Sequence, residues 1–311
     1  MGLKITILLR EGAMRLSVHG TFTLIVVALL TNFAIAGSVD IPNTFVADTK
    51  AKAAEVNANF NAVETAVDDN DSRIIALETL VTTLQDRIEA LEEKTSYMSV
   101  ESGTVNGLAG PHVVFSDANV HIRSGSGHTD DGGSLIGLGN LVVGYNESPG
   151  SFSAGRGGSH NIITGVGNQF SSFGGFVGGY INSIDNSYAT VISGNGNVSS
   201  GEYAVISTGN GNTASGQRSS ISAGDGGTAS GKSASISAGN QGVASGDYSN
   251  VSGGYGGEAT GYIASVSGGQ NSTASGQYSS VTGGYNNTAS GDRASVVGGE
   301  GNQAVANIST V

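Results

Sequence analysis

The sequence predicts a mainly β protein, a parallel β-solenoid of about ten coils of 14–15 residues preceded by an N-terminal coiled-coil helix. Two patterns carry this expectation: a fifteen-residue repeat that fills the C-terminal third of the chain, and a heptad seam near its start. The composition agrees, with 51 Gly, no Cys, no Trp and only 12% charged residues among 311. Such a chain is neither an ordinary globular enzyme nor a charged disordered tail.

From Gly201 to Val305 the chain divides into seven fifteen-residue units without insertion, each opening on Gly: Gly201, Gly216, Gly231, Gly246, Gly261, Gly276 and Gly291. The sixth position is aliphatic throughout, namely Ile206, Ile221, Ile236, Val251, Val266, Val281 and Val296. The ninth is Gly from Gly209 to Gly299, and the fourteenth is Ala from Ala214 to Ala304. Fifteen residues are too few for a helix pair or a propeller blade and suit one solenoid turn of two short strands and two corners. Period-two alternation then points the sixth and fourteenth residues inward. Gly at positions one and nine marks corners that need positive φ or a close backbone approach. Burying one Val or Ile is worth about 2 kcal/mol. Ordering each residue's backbone costs about 1–2 kcal/mol, so a coil must stack to persist.

Ahead of the repeat, residues 53–98 carry apolar positions at alternating spacings of three and four: Ala53, Val56, Phe60, Val63, Val67, Asn70, Ile74, Leu77, Val81, Leu84, Ile88, Leu91, Thr95 and Met98. The flanks are polar and no Gly or Pro interrupts, as the exterior of a coiled coil requires. So narrow a stripe needs partner chains. β-Branched residues at a with Leu at d favour two strands, whereas Asn70 at a d position is a candidate determinant of register and chain number. The plainer reading of Asn70 is a weak spot beside "DDND".

The remaining segments follow from these two. Residues 37–52 lead into the stalk, 99–139 read as a β-rich neck, and 140–311 as the roll, with Phe170, Phe173 and Phe176 placed to seal its first coils. At the start, "TFTLIVVALLTNFAIAG" has the apolar run and small-residue cleavage site of a signal peptide spanning 1–36, with Met14 a possible true start. Cleavage after Ala36 removes Lys4, Arg10 and Arg15 against Glu11, taking the net charge of −12 to about −14. The chain is therefore expected to be exported, to the extracellular space or a bacterial cell surface.

Composition also narrows the chemistry. Basic residues are scattered, so nucleic acid is not an expected partner. The repeats hold no His and no Cys, and no nucleophile–base pair or set of paired carboxylates suggests an enzyme. No cofactor is expected. "GNGN" and "GDGG" precede strands rather than a GK[ST] helix and read as corners. His112, His121, His128, Asp130 and Asp131 fall in the neck without metal-ligand spacing and read as a solvated loop.

Units such as "YSSVTGGYNNTASG" and "IASVSGGQNSTASG" resemble the head repeats of the trimeric autotransporter adhesins, the YadA-like left-handed β-roll. The likeness covers roughly residues 140–305. It implies a homotrimer of rolls packed side by side, and a stalk with Asn at d is similar to that family's habit, which moves the expected chain number from two to three. Here the stalk precedes the roll, and no C-terminal membrane barrel or lipid-modifiable Cys is found in the sequence, which reverses the family's order and leaves the mode of attachment open.

The expectation is a non-enzymatic, adhesin-like fibrous protein that makes multivalent contacts with a host or environmental surface. Tyr203, Tyr248 and Tyr278 at the third position, with Tyr255 and Tyr285 at the tenth, form the candidate contact surface. The plainer reading is that these rings cover a thin core or fill a groove between chains. A second class is an ice- or crystal-binding solenoid using outward Thr213, Ser215, Thr228, Ser230, Thr273, Ser275, Thr288 and Ser290, a column interrupted by Val243 and Glu258. A phage-like fibre is a third.

Overall fold

The computed structural model describes residues 39–148 and 155–311. The expected signal peptide, 1–36, lies outside the described residues. The chain separates into two compact units, one ending at Ala118 and the other running from Asn119 to Val311.

The first unit is built on one helix, α1 (Ala53–Thr95), with acidic Glu55 in its first turn and basic Lys94 in its last, both matched to the helix dipole. None of its residues is buried. Phe60, Val67, Ile74, Leu77, Val81, Leu84, Ile88 and Leu91 all stand exposed along the seam. The lead-in segment folds back on the first turns. The Asn43 amide donates to Asn59 Oδ1 at 2.9 Å, and Asn59 Nδ2 donates to the Asn43 carbonyl at 2.8 Å. Ile41 and Phe45 then line, with Val56, Phe60 and Val63, an apolar hollow of about 330 Å³. Beyond the helix, β1 (Met98–Glu101) takes up the last residue of the heptad pattern. It pairs antiparallel with β4 (His112–Phe115), around the small hairpin β2 (Thr104–Val105) and β3 (Leu108–Ala109).

The second unit opens with irregular chain and the single turn Asp131–Gly133, then winds into a parallel β-solenoid of about ten coils. One sheet of 11 strands starts at β5 (Leu141–Val143) and continues through β6 (Ile162–Thr164); the other, of 10, starts at β7 (Gln169–Phe170). Early coils advance by fourteen residues, as Ile162 pairs with Phe176 and Phe176 with Thr190. From Thr190 onward the step is fifteen, Thr190 to Val205 and Ser220 to Ser235. A third ladder of single bridges runs along the tenth position through Asn195, Asn210, Asp225, Asn240, Tyr255, Gln270, Tyr285 and Glu300.

Ile206, Ile221, Ile236, Val251, Val266, Val281 and Val296 are all buried at the sixth position, facing the Ala column of the fourteenth. Phe170 is buried at the first coils, Phe176 is half-buried, and Phe173 stands outside the core. Two further positions turn inward. The fourth alternates Ala204, Ser219, Ala234, Ser249, Ala264, Ser279 and Ala294, while the twelfth carries Asn182, Asn197, Asn212 and Asn287, all with no solvent exposure or almost none. The two conserved corners of the repeat use Gly differently. At the ninth position Gly284 has φ +90°, a left-handed conformation that L side chains rarely adopt. At the first, Gly276 has no such φ, but a Cβ there would run into the carbonyl oxygen of Gly291 in the next coil.

Candidate functional site: an aromatic corner of the solenoid

Each coil turns its first corner over residues one to four, closed by a bond such as that from the Ala204 amide to the Gly201 carbonyl at 3.0 Å. The third residue of that turn has positive φ in every regular coil: 58° at Tyr203, 58° at Arg218, 54° at Ser233, 59° at Tyr248, 54° at Ile263, 59° at Tyr278 and 55° at Arg293. Turns of this kind usually place Gly or Asn there, yet this chain accepts Tyr, Arg and Ile. The amide of each third residue donates to the second residue of the coil before, as Tyr248 does to Lys232 at 2.8 Å, so the side chains rise as a column.

The column is a ladder of rings. Phe173 meets Tyr188 edge-on at 5.3 Å, Tyr188 stacks on Tyr203 at 5.0 Å and 8°, and the Arg218 guanidinium lies over Tyr203 at 5.9 Å. A second run begins at Tyr248, which meets Tyr262 edge-on at 5.8 Å. Tyr262 meets Tyr278 at 5.8 Å, and Arg293 lies over Tyr278 at 5.2 Å while pairing with Asp292. Tyr203, Tyr248 and Tyr278 each keep more than 40% of their surface exposed.

Sequence reasoning named five tyrosines, and the structure does not gather them. Tyr203, Tyr248 and Tyr278 belong to the first corner, whereas Tyr255 and Tyr285 occupy the tenth-position ladder at the second corner, also exposed. The reading assigned Phe173 to the seal of the first coils and missed Tyr188 and Tyr262. Phe173 and Tyr188 lie thirty and fifteen residues before Tyr203, so extending the register backwards brings both into the column. Tyr262 sits at the second position of its coil and enters the column in place of Ile263, which no register predicts. Asn70 is exposed on α1.

The hydroxyl column named as a second candidate, Thr213, Thr228, Thr273 and Thr288, is half-buried on the outer face of the second sheet, with Val243 and Glu258 in register between them. The first sheet has a more regular outer face. From Ile162 to Val297 its outward fifth and seventh positions hold no charged residue, with Ser220, Ser222, Ser235, Ser237, Ser265 and Ser267 in the middle coils.

Among the neck residues, Asp131 departs from the expected solvated loop: it is buried. Ser124 Oγ and Ser126 Oγ donate to its Oδ1 at 2.5 and 2.8 Å, and the Ile136 amide to Oδ2 at 3.0 Å. Bonds from Ser124, Ser159 and Ile136 hold its carboxyl well below the usual carboxylate range. The loop curls this way because Asp131 has φ 53° and His160 anchors it, accepting from the Ser124 amide at 3.1 Å with its other ring nitrogen 2.8 Å from the Thr129 carbonyl. His128 and His160 line a hollow of about 410 Å³ beside it, with Ile122, Arg123 and Thr129. Among the described residues no group of three or more His, Cys, Asp or Glu is placed to hold a metal ion.

No protein-family model matches the chain, and no curated protein matches it.

Proposed function

We propose that the chain is a non-enzymatic, adhesin-like fibrous protein, exported to the extracellular space or the cell surface, that works by repeated contact along its solenoid. The observation that carries this reading is the exposed column of rings and guanidinium groups at the first corner, with one such group in each regular coil except that of Ser233. Aromatic rings supply large contact area at low entropic cost, and weak contacts summed over many coils give avidity without a deep pocket.

The proposed working form is a parallel homotrimer resembling the YadA-like left-handed roll, with Asn70 setting chain number. Its support is physical: the seam of α1 is apolar and uncovered in a single chain, and lone helices with so narrow a stripe do not persist. Copies of a chain of net charge −12 repel one another. The uncharged outer face of the first sheet is the strip on which three rolls pack with least repulsion.

The test replaces Tyr203, Tyr248, Tyr262 and Tyr278 together by Ser and follows the retention of protein-coated beads on cells or extracellular matrix. Retention is expected to fall while circular dichroism stays unchanged; full retention by the variant would overturn the reading. The Ser row at the seventh position of the first sheet, from Ser207 to Ser267, favours one alternative, an ice- or crystal-binding surface. Ice-growth inhibition by the parent chain, with no bead retention, would replace the adhesin reading with that one.

A further inference from the structure

The ring column has one missing rung. Between the run that ends at Arg218 and the run that begins at Tyr248, the third position is Ser233. Its backbone is the same as its neighbours', with φ 54° against 58° at Arg218 and 59° at Tyr248, and its amide bonds to the preceding coil like theirs, to Gln217 at 2.8 Å. Only the ring is absent. With coils spaced by about 4.8 Å, Arg218 and Tyr248 leave their backbones roughly 9.6 Å apart, one empty step between them.

The two walls of this gap have complementary chemistry. Arg218 lies over Tyr203 on one side of the gap, and among the described residues it has no carboxylate partner. On the other side Tyr248 meets Tyr262 edge-on and keeps nearly half of its surface exposed. A planar guanidinium and a phenol ring one step apart stack on a third planar group between them. The gap floor is Ser233, half-buried, whose hydroxyl makes no hydrogen bond among the described residues.

We propose that the gap at Ser233 is a slot for one aromatic side chain of a protein partner, held between Arg218 and Tyr248. An aliphatic side chain would fill the volume but gain neither stacking nor the cation–π contact, and a nucleobase would bring a phosphate backbone against a chain of net charge −12. The proposal rests on the reading of this corner as a contact surface and names the group that it takes.

The test uses the full mature chain, with N-acetyl-tyrosinamide as the probe and N-acetyl-leucinamide as its aliphatic counterpart, followed by the ring signals of Tyr248 in nuclear magnetic resonance spectra. Saturable shifts are expected with the tyrosine probe and not with the leucine one. Ser233→Tyr supplies the missing rung from within and should weaken probe binding by about tenfold or more. Should that variant lose its β spectrum, Ser233→Gln fills the same gap. Lys232→Gln, beside the slot, should leave binding unchanged. Absence of saturable shifts, equal shifts with both probes, or undiminished binding after the slot is filled would overturn the proposal. Bead retention that depends on the tyrosines, without probe binding at Tyr248, would sink the slot and leave the contact reading intact; probe binding without retention would do the reverse.

Discussion

The side-chain amide of Asn212 donates from Nδ2 to Oδ1 of Asn197 at 3.0 Å, in the dry interior of the solenoid, where neither residue has any solvent exposure. The contact belongs to a ladder. Asn197 Oδ1 also accepts from the Asn212 backbone at 3.0 Å, Asn212 Oδ1 accepts from the Gly227 backbone at 2.8 Å, and Asn212 Nδ2 reaches the Gly224 carbonyl at 2.9 Å. Each Asn therefore satisfies inward-pointing backbone groups of its neighbours, which an aliphatic residue cannot do.

Asn212→Leu keeps the volume, removes the side-chain bonds and strands the Gly227 amide, whose acceptor is Asn212 Oδ1. It should cost about 2–4 kcal/mol, read as a lowered denaturation midpoint. Asn210→Ser, at the exposed tenth position of the same coil, should cost little. Equal midpoints for the two variants would show that the ladder contributes nothing.

Glycine at the first corner is a steric requirement. Gly276→Ala places a Cβ against the Gly291 carbonyl and should cost several kcal/mol, on the order of a large core defect. Gly268→Ala lies in the preceding coil, with ordinary φ and its nearest neighbour, the Thr282 carbonyl, at 3.9 Å. That substitution should be close to neutral. Thermal unfolding of both variants checks the contrast.

The repeat period and its inward aliphatic column are legible in the sequence because the sixth and fourteenth positions scarcely vary. The Asn ladder is not, because Gly227, Gly242, Gly257 and Ser272 interrupt it and a polar residue beside a Gly reads as part of a loop. The fourth position hides for a similar reason: Ser219, Ser249 and Ser279 look like surface residues, yet their hydroxyls are buried without a partner. At the first corner, Tyr, Arg and Ile carry no sign of the left-handed backbone they adopt. The ring column emerges only when coils stack and Tyr262 crosses from the neighbouring position.

Asp131 ties the neck to acidity. Its carboxyl titrates below the ordinary range in the folded protein, chiefly through Ser124. A depressed folded pKa stabilises at every pH above the unfolded value of about 4, and the gain disappears as pH falls toward the folded value. Asp131→Asn should therefore lower the melting temperature at pH 7, and the gap between variant and parent should close steadily below about pH 4. A gap independent of pH would mean that the carboxylate charge is not what the serines hold.

The mass in solution is the most direct test of the proposed fibre. At micromolar concentration the mature chain should sediment as three copies, and Ile74→Asp with Leu84→Asp, which charges the seam of α1, should reduce it to one. A single-copy mass for the parent chain would contradict the trimeric fibre.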